Sequence, residues 1–103
     1  MIQYVLYCIL WAKPNVEIIQ VPVNEYAMAD INHDFGEFNF EASVFEEKMN
    51  SVKITHRPTQ ISSQANASAD YQQRSFYLKL DLGEKQASLD CEMKAAGQQG
   101  DQP

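Results

Sequence analysis

The amino-acid sequence predicts a mainly β protein, a small antiparallel sandwich or barrel of about six strands. Apolar residues recur mostly with a period of two, which is typical of half-buried strands. Short Pro- or Gly-containing turns separate these segments, and strand follows strand. The chain has 103 residues, enough for one domain and too few for two. One short helix is also permitted, so an α+β fold is the alternative.

The N-terminal segment is apolar in both parities of its alternation. Residues 1–12 place Ile2, Tyr4, Leu6, Cys8 and Leu10 on one parity and Val5, Tyr7, Ile9 and Trp11 on the other. A strand of this kind is expected at the centre of a sheet, covered on both faces. Lys13, Pro14 and Asn15 predict a turn, and residues 16–23 predict a second strand. Because Pro22 has no backbone donor, the second strand is expected to lie at an edge or to end at that residue.

The middle of the chain is less regular. Residues 24–31 allow one or two helical turns, with Asn24 as a cap. Residues 36–46 alternate and predict a third strand, although the helical spacing of their apolar residues leaves a helix over 40–52 as the alternative. Residues 52–57 predict a fourth strand, which Pro58 ends.

The C-terminal part contains the clearest local pattern. Residues 75–82 alternate strictly, and the alternation resumes after Gly83, which together predict a β-hairpin. Residues 59–73 are polar and predict a long loop, and residues 95–103 predict a flexible tail after a single domain over 1–94. The two cysteines are too few for a disulfide scaffold and are interpreted as small core residues. The expected core comprises Leu6, Cys8, Leu10, Ile18, Val21, Phe38, Phe40, Ile54, Phe76, Leu78, Leu80, Leu89 and Cys91.

Charge is divided into blocks along the chain. The formal net charge is −6, and residues 14–47 carry eight acids without a Lys or Arg, whereas residues 48–79 carry five bases and one acid. Such blocks either create an acidic surface or pair with each other in the fold.

Residues 30–41 contain a spacing of oxygen-bearing side chains. Asp30, Asn32, Asp34 and Glu41 occupy positions one, three, five and twelve of a segment that resembles an EF-hand calcium loop. The glycine of that family belongs at position six, where this chain has Phe35, with Gly36 one residue later. An Asx-rich turn explains the same residues without a metal, so no metal or other cofactor is assigned.

Composition also bears on chemistry and location. Neither the two histidines nor the two cysteines show a zinc-binding or nucleophilic spacing, so the chain is expected to be non-enzymatic. The longest apolar run has about eight residues, where a membrane-spanning helix needs roughly 20. With no recognisable secretory signal either, a soluble cytoplasmic protein without membrane contact is expected.

The favoured hypothesis is a small acidic binding module that docks on a basic protein surface. It would be an inhibitor or immunity-type protein, or a mimic of a nucleic-acid backbone, in which electrostatic complementarity selects the partner. The hypothesis requires that the carboxylates emerge together and unopposed. The expected contact residues are Asp30, Asp34, Glu37, Glu41, Glu46 and Glu47.

Two other functions remain open. A single-stranded nucleic-acid binder would use exposed aromatic and basic side chains, namely Arg57, Arg74, Tyr77 and Lys79. A subunit of a larger assembly would dock or form a homodimer through an edge strand, and residues 1–12 are the place to look for one.

Overall fold

The computed structural model describes residues 4–23, 28–45, 48–66 and 75–95. Within these ranges the chain forms eight strands in two four-stranded antiparallel sheets, which confirms the predicted small antiparallel sandwich or barrel, with eight strands instead of about six. The strands are β1 (Tyr4–Ala12), β2 (Asn15–Val23), β3 (Met28–Phe35), β4 (Phe38–Phe45), β5 (Lys48–His56), β6 (Ile61–Asn66), β7 (Ser75–Asp81) and β8 (Gln86–Ala95).

The strand order makes the sandwich a flattened up-and-down barrel. The first sheet has the order β2-β1-β8-β7 and the second sheet the order β3-β4-β5-β6. The chain crosses between sheets from β2 to β3 and from β6 to β7, and both pairs of edge strands are in contact. Strand β1 is therefore central and β2 is an edge strand, as predicted, and the first and last strands lie side by side. The expectation that β1 is covered on both faces was wrong, because no described strand lies over its outer face.

Alternate residues of both sheets meet in one core. Most of the predicted core residues are buried or packed against it, but Ile18 is 51% exposed, so its assignment to the core was wrong. In the register between β1 and β2, Ile19 lies opposite the buried Cys8, so Ile19 faces the core. Its neighbour Ile18 therefore points outward. Buried residues beyond those expected are Val23, Ala42, Val44, Met49, Val52, His56, Ala87 and Met93.

The two helical alternatives were wrong in the described residues. Residues 28–31, part of the predicted helical turns, belong to β3, which pairs with β4 along its length; residues 24–27 lie outside the described ranges. Residues 40–52 are divided between β4 and β5, because ladder pairing and core packing outweigh a local helical spacing. In the described ranges no helix has the length and apolar character needed to cross a membrane.

The predicted long loop contains a strand. Residues 61–66 form β6, which pairs with β5, while residues 67–73 lie outside the described ranges. Polar residues are suitable here because β6 is an edge strand whose side chains are exposed or half-buried. At the C terminus Ala95 still belongs to β8, and residues 96–103 lie outside the described ranges.

The two cysteines form a disulfide, which corrects their interpretation as ordinary core side chains. Cys8 of β1 lies directly opposite Cys91 of β8, with Cα atoms 4.1 Å apart, although 83 residues separate them along the chain. The strand order thus supplies the proximity that a disulfide requires. Both residues are buried between the sheets.

Candidate functional site

The outer face of the first sheet carries an unusual concentration of apolar side chains. We call this surface the apolar stripe; its residues point away from the core because side chains alternate along a strand. Val16 and Ile18 are 59% and 51% exposed, and the four residues of β1 are half-buried. No strand of the described chain lies over this face. The stripe consists of Val5, Tyr7, Ile9 and Trp11 of β1 and Val16 and Ile18 of β2.

The other half of the same face is polar. On β8, Asp90 lies opposite Ile9 on one side and Tyr77 of β7 on the other. Glu92 lies opposite Tyr7, whose ring carries the Lys94 ammonium 4.2 Å from its centroid. Within the described ranges, neither Asp90 nor Glu92 forms an ion pair or a side-chain hydrogen bond. The apolar stripe therefore lies next to two carboxylates, those of Asp90 and Glu92, that no described side chain binds.

Three of the carboxylates expected to bind a partner, Asp30, Asp34 and Glu41, are on the opposite side of the sandwich. Asp30 and Asp34 are exposed on the outer face of β3, and Glu41 is half-buried on the same face of β4. The Asp34 Oδ2 atom is 3.6 Å from Arg57 Nη1, and Glu41 lies directly opposite Lys53. Asp34 and Glu41 therefore each lie near a basic residue, whereas Asp30 forms no ion pair within the described residues. The hypothesis required all of these carboxylates to be unopposed. Glu46 and Glu47 lie outside the described ranges.

Glu37, also among the expected contact residues, is at one end of the sandwich in the turn between β3 and β4. Its Oε1 atom is 3.0 Å from His56 Nε2 and 3.2 Å from Lys85 Nζ. The hydrogen bond from His56, together with the Lys85 ammonium, lowers the pKa of the Glu37 carboxyl below its ordinary value. Glu37 thus connects strand β5 to the β7–β8 turn instead of facing a partner alone.

The buried His56 ring continues this connection to the β5–β6 turn. Its Nδ1 atom is 2.8 Å from Thr59 Oγ1. Because a carboxylate only accepts hydrogen bonds, a neutral His56 donates from Nε2 to Glu37 and accepts the Thr59 hydroxyl proton at Nδ1.

A hydroxyl, an imidazole and a carboxylate in series also resemble a hydrolase triad. The adjacent cavity, of about 210 Å³, is lined by Glu37 and Lys85 but by neither His56 nor Thr59. Since the hydroxyl does not open onto that cavity, the geometry favours a structural connection.

The described residues of the nucleic-acid alternative are divided between the two sheets. Tyr77 and Lys79 lie on the outer face of β7 in the first sheet. Arg57 follows β5 in the second sheet, where its guanidinium donates to the Gly36 carbonyl and pairs with Asp34. Arg74 lies outside the described ranges.

The segment that resembles a calcium loop forms a β-hairpin instead. Asp30, Asn32 and Asp34 lie along β3, and Glu41 lies opposite Asn32 on β4. The Asn39 side-chain amide donates to both Asn32 and Asp34, at 2.7 Å each. Among the described residues, no group of three or more His, Cys, Asp or Glu side chains is arranged to hold a metal ion.

Comparison with known proteins identifies no relative: no protein-family model, curated protein or solved structure matches the chain. The geometry itself therefore has to support a function. The sequence pattern already placed Asp90 and Glu92 outward in the last hairpin, but their position beside Ile9 and Tyr7 depends on the pairing of β8 with β1.

Proposed function

We propose that this chain is a non-enzymatic protein-binding module and that the apolar stripe is its contact surface. The observation that supports this proposal is the concentration of large apolar side chains, Trp11, Val16 and Ile18 among them, on a face that no described strand covers. Surfaces of this kind with a polar border are typical of protein–protein contacts. The partner has a basic surface, as the net charge of −6 favours.

The free energy of partner binding favours the apolar stripe over the carboxylates of the second sheet as the contact surface. Burial of apolar surface stabilises a complex by roughly 25 cal/mol per Å² before the costs of association. A partner that displaced Arg57 from Asp34, or Lys85 from Glu37, would first have to break contacts that the free chain already makes. The exposed Val16 and Ile18 of the stripe carry no such cost, since they have only water to lose, and in the stripe only Tyr7 has a cation of this chain over its ring within the described residues.

The disulfide bears on where the protein acts. Both cysteines form the Cys8–Cys91 bond, and disulfides persist in oxidising compartments but are rare in the cytosol. We therefore propose an oxidising compartment in place of the cytoplasmic location that the sequence predicts. Alkylation of thiols in source cells before lysis tests this proposal: protection of both cysteines supports it, and labelling of both contradicts it.

The experiment on the stripe uses a matched pair of variants. Val16→Ser with Ile18→Ser removes two exposed apolar side chains from the stripe, whereas Ile61→Ser removes one of similar exposure, 48%, from β6 of the other sheet. Immobilised wild-type and variant chains are incubated with extract from the source cells, and retained proteins are identified and then purified.

We expect a protein retained by the wild type and by Ile61→Ser to be lost from the stripe variant. Trp11 is the chain's single tryptophan and lies in the stripe, so the purified partner should shift its fluorescence to shorter wavelength. Equal retention by both variants, with no change at Trp11, would contradict the proposal.

A further inference from the structure

We infer that the partner segment combines apolar side chains with a Lys or Arg, and that this cation binds between Tyr77 and Asp90. This inference rests on the proposed function of the apolar stripe and adds the chemistry of the partner. The Tyr77–Asp90 pair supplies an aromatic ring and a carboxylate on adjacent strands at the border of the stripe.

The register of the first sheet places the required groups in one row. Tyr77, Asp90, Ile9 and Ile18 lie opposite one another across β7, β8, β1 and β2. Neighbouring strands are about 4.8 Å apart, so a Lys or Arg whose stem packs on Ile9 reaches the Asp90 carboxylate. The same cation can lie against the Tyr77 ring, which is 63% exposed.

Two tyrosines of this face, Tyr7 and Tyr77, differ in whether a cation of this chain lies over the ring. The Lys94 ammonium already lies 4.2 Å from the centroid of Tyr7, so this chain itself uses an aromatic residue of the face to bind a cation. Within the described residues no cation occupies the corresponding position at Tyr77 and Asp90. Lys79 lies one row away, opposite Ser88.

Net negative charge favours a basic partner over a second copy of this chain as the occupant of the stripe. Two copies would each bring a net charge of −6, and the described outer face of the first sheet carries Asp81, Asp90 and Glu92 against Lys79 and Lys94. Face-to-face packing of two copies would therefore bring an excess of carboxylates into one interface. Like charges in a contact oppose association, whereas a cationic segment gains at long range from the net charge and at short range from Asp90.

The experiment uses three peptides of about ten residues, the length of one strand. In each peptide every second residue is serine. The residues between these serines lie on one face of an extended peptide, and this face contacts the sheet. Those positions hold valines with one arginine in the basic apolar peptide and valines with one glutamate in the acidic apolar peptide. In the basic polar peptide they hold serines with one arginine. None contains tryptophan, so Trp11 fluorescence and backbone amide NMR shifts report on this chain alone.

Two charge-matched variants separate local recognition from net charge. Asp90→Asn removes the carboxylate beside Tyr77, and Asp30→Asn removes an exposed carboxylate from the outer face of the other sheet. We expect Asp90→Asn to raise the Kd of the basic apolar peptide about fivefold, because the carboxylate at the cation site is lost. Asp30→Asn should leave this Kd within about twofold, because salt screens a charge on the opposite face. Tyr77→Leu should weaken the same peptide while keeping the apolar area.

The outcomes distinguish this inference from the proposed function. Preference of the stripe for the basic apolar over the acidic apolar peptide, lost in Asp90→Asn, supports both. Equal binding of the two apolar peptides, unchanged in Asp90→Asn, overturns the cation site and leaves the apolar contact standing. The absence of shifts at stripe residues with either apolar peptide overturns both.

Discussion

The Glu37 carboxylate connects three parts of the described fold. From the turn after β3, its carboxylate contacts His56 of β5 and Lys85 of the β7–β8 turn. The backbone reinforces the same junction, since the Arg57 amide donates to the Glu37 carbonyl at 2.8 Å. A carboxylate with this many donors is more stable charged than neutral, and therefore its pKa is lowered from 4.5.

The lowered pKa predicts how stability depends on pH. Because the Glu37 pKa is lower in the folded than in the unfolded chain, its contribution is complete above the unfolded value. That contribution is lost as the pH falls through the folded value. We expect Glu37→Gln to be less stable than wild type at neutral pH and to lose less stability on acidification below about pH 5. Urea-unfolding midpoints measured from pH 7 to about pH 3 test this.

Asp30→Asn provides the control for this titration. Asp30 is exposed on the same sheet and forms no ion pair within the described residues. At neutral pH this variant should keep the wild-type midpoint, because it loses no ion pair of the described residues. If Glu37→Gln follows the wild type at every pH, the contacts of Glu37 contribute nothing measurable to folding.

At the scale of the element, β1 shows why an apolar strand can be central and still leave one face available. Its neighbours β2 and β8 satisfy its backbone on both sides, and Leu6, Cys8 and Leu10 fill the core. The opposite parity, including Ile9, belongs to the stripe. The two parities therefore have different purposes in the proposed function, one for folding and one for binding.

Adjacent residues of β1 test this division. Leu10 is 1% exposed, so Leu10→Ala should lower the free energy of unfolding by about 3 kcal/mol through lost burial and a cavity. Ile9→Ala, on the half-buried outer face, should cost about 1 kcal/mol or less, mostly through reduced strand propensity. Denaturant unfolding of both variants measures the difference. Equal losses would mean that the outer face is covered as thoroughly as the core.

A polar contact joins the edge strands β2 and β3, where the two sheets meet. Glu17 of β2 pairs with His33 of β3, with Oε2 and Nε2 3.0 Å apart. Both side chains are partly exposed, and pairs of this kind typically contribute less than about 1 kcal/mol. The apolar core between the sheets accordingly provides most of the stability.

At the scale of the whole molecule, the disulfide crosslinks the first and last strands, β1 and β8, which also pair by hydrogen bonds. Cys8 and Cys91 enclose most of the chain, 83 residues apart. A crosslink over a loop this long restricts the unfolded chain strongly and stabilises the fold by about 4 kcal/mol in the chain-entropy account.

Reduction should therefore lower the free energy of unfolding by about 4 kcal/mol, because the unfolded chain regains that freedom. Denaturant unfolding with and without a thiol reductant measures the effect, with the Cys8→Ala, Cys91→Ala double variant as the control. The control should not respond to reductant. An unchanged wild-type midpoint after complete reduction would show that the crosslink does not stabilise the fold.

Local patterning predicted the parts of this protein that depend on neighbours in the chain. The alternation over 75–82 and its resumption after Gly83 identified the last hairpin and its inward residues, because the two-residue period is intrinsic to a strand. Pro22 likewise placed β2 at an edge, since a missing donor excludes a central position.

Contacts between distant residues were decided only by the tertiary structure. The pairing of β8 with β1 joins Cys8 to Cys91 and places Asp90 beside Ile9, and the turns at one end bring Lys85 to Glu37. Ile18 and Ile19 are equally apolar, so only the register with β1 determined which of them faces outward. The sequence by itself determined the last hairpin and its faces, because the alternation follows from neighbouring residues, and the total charge, because it follows from composition. Strand order and register decided the binding surface, because they bring together residues far apart in the chain.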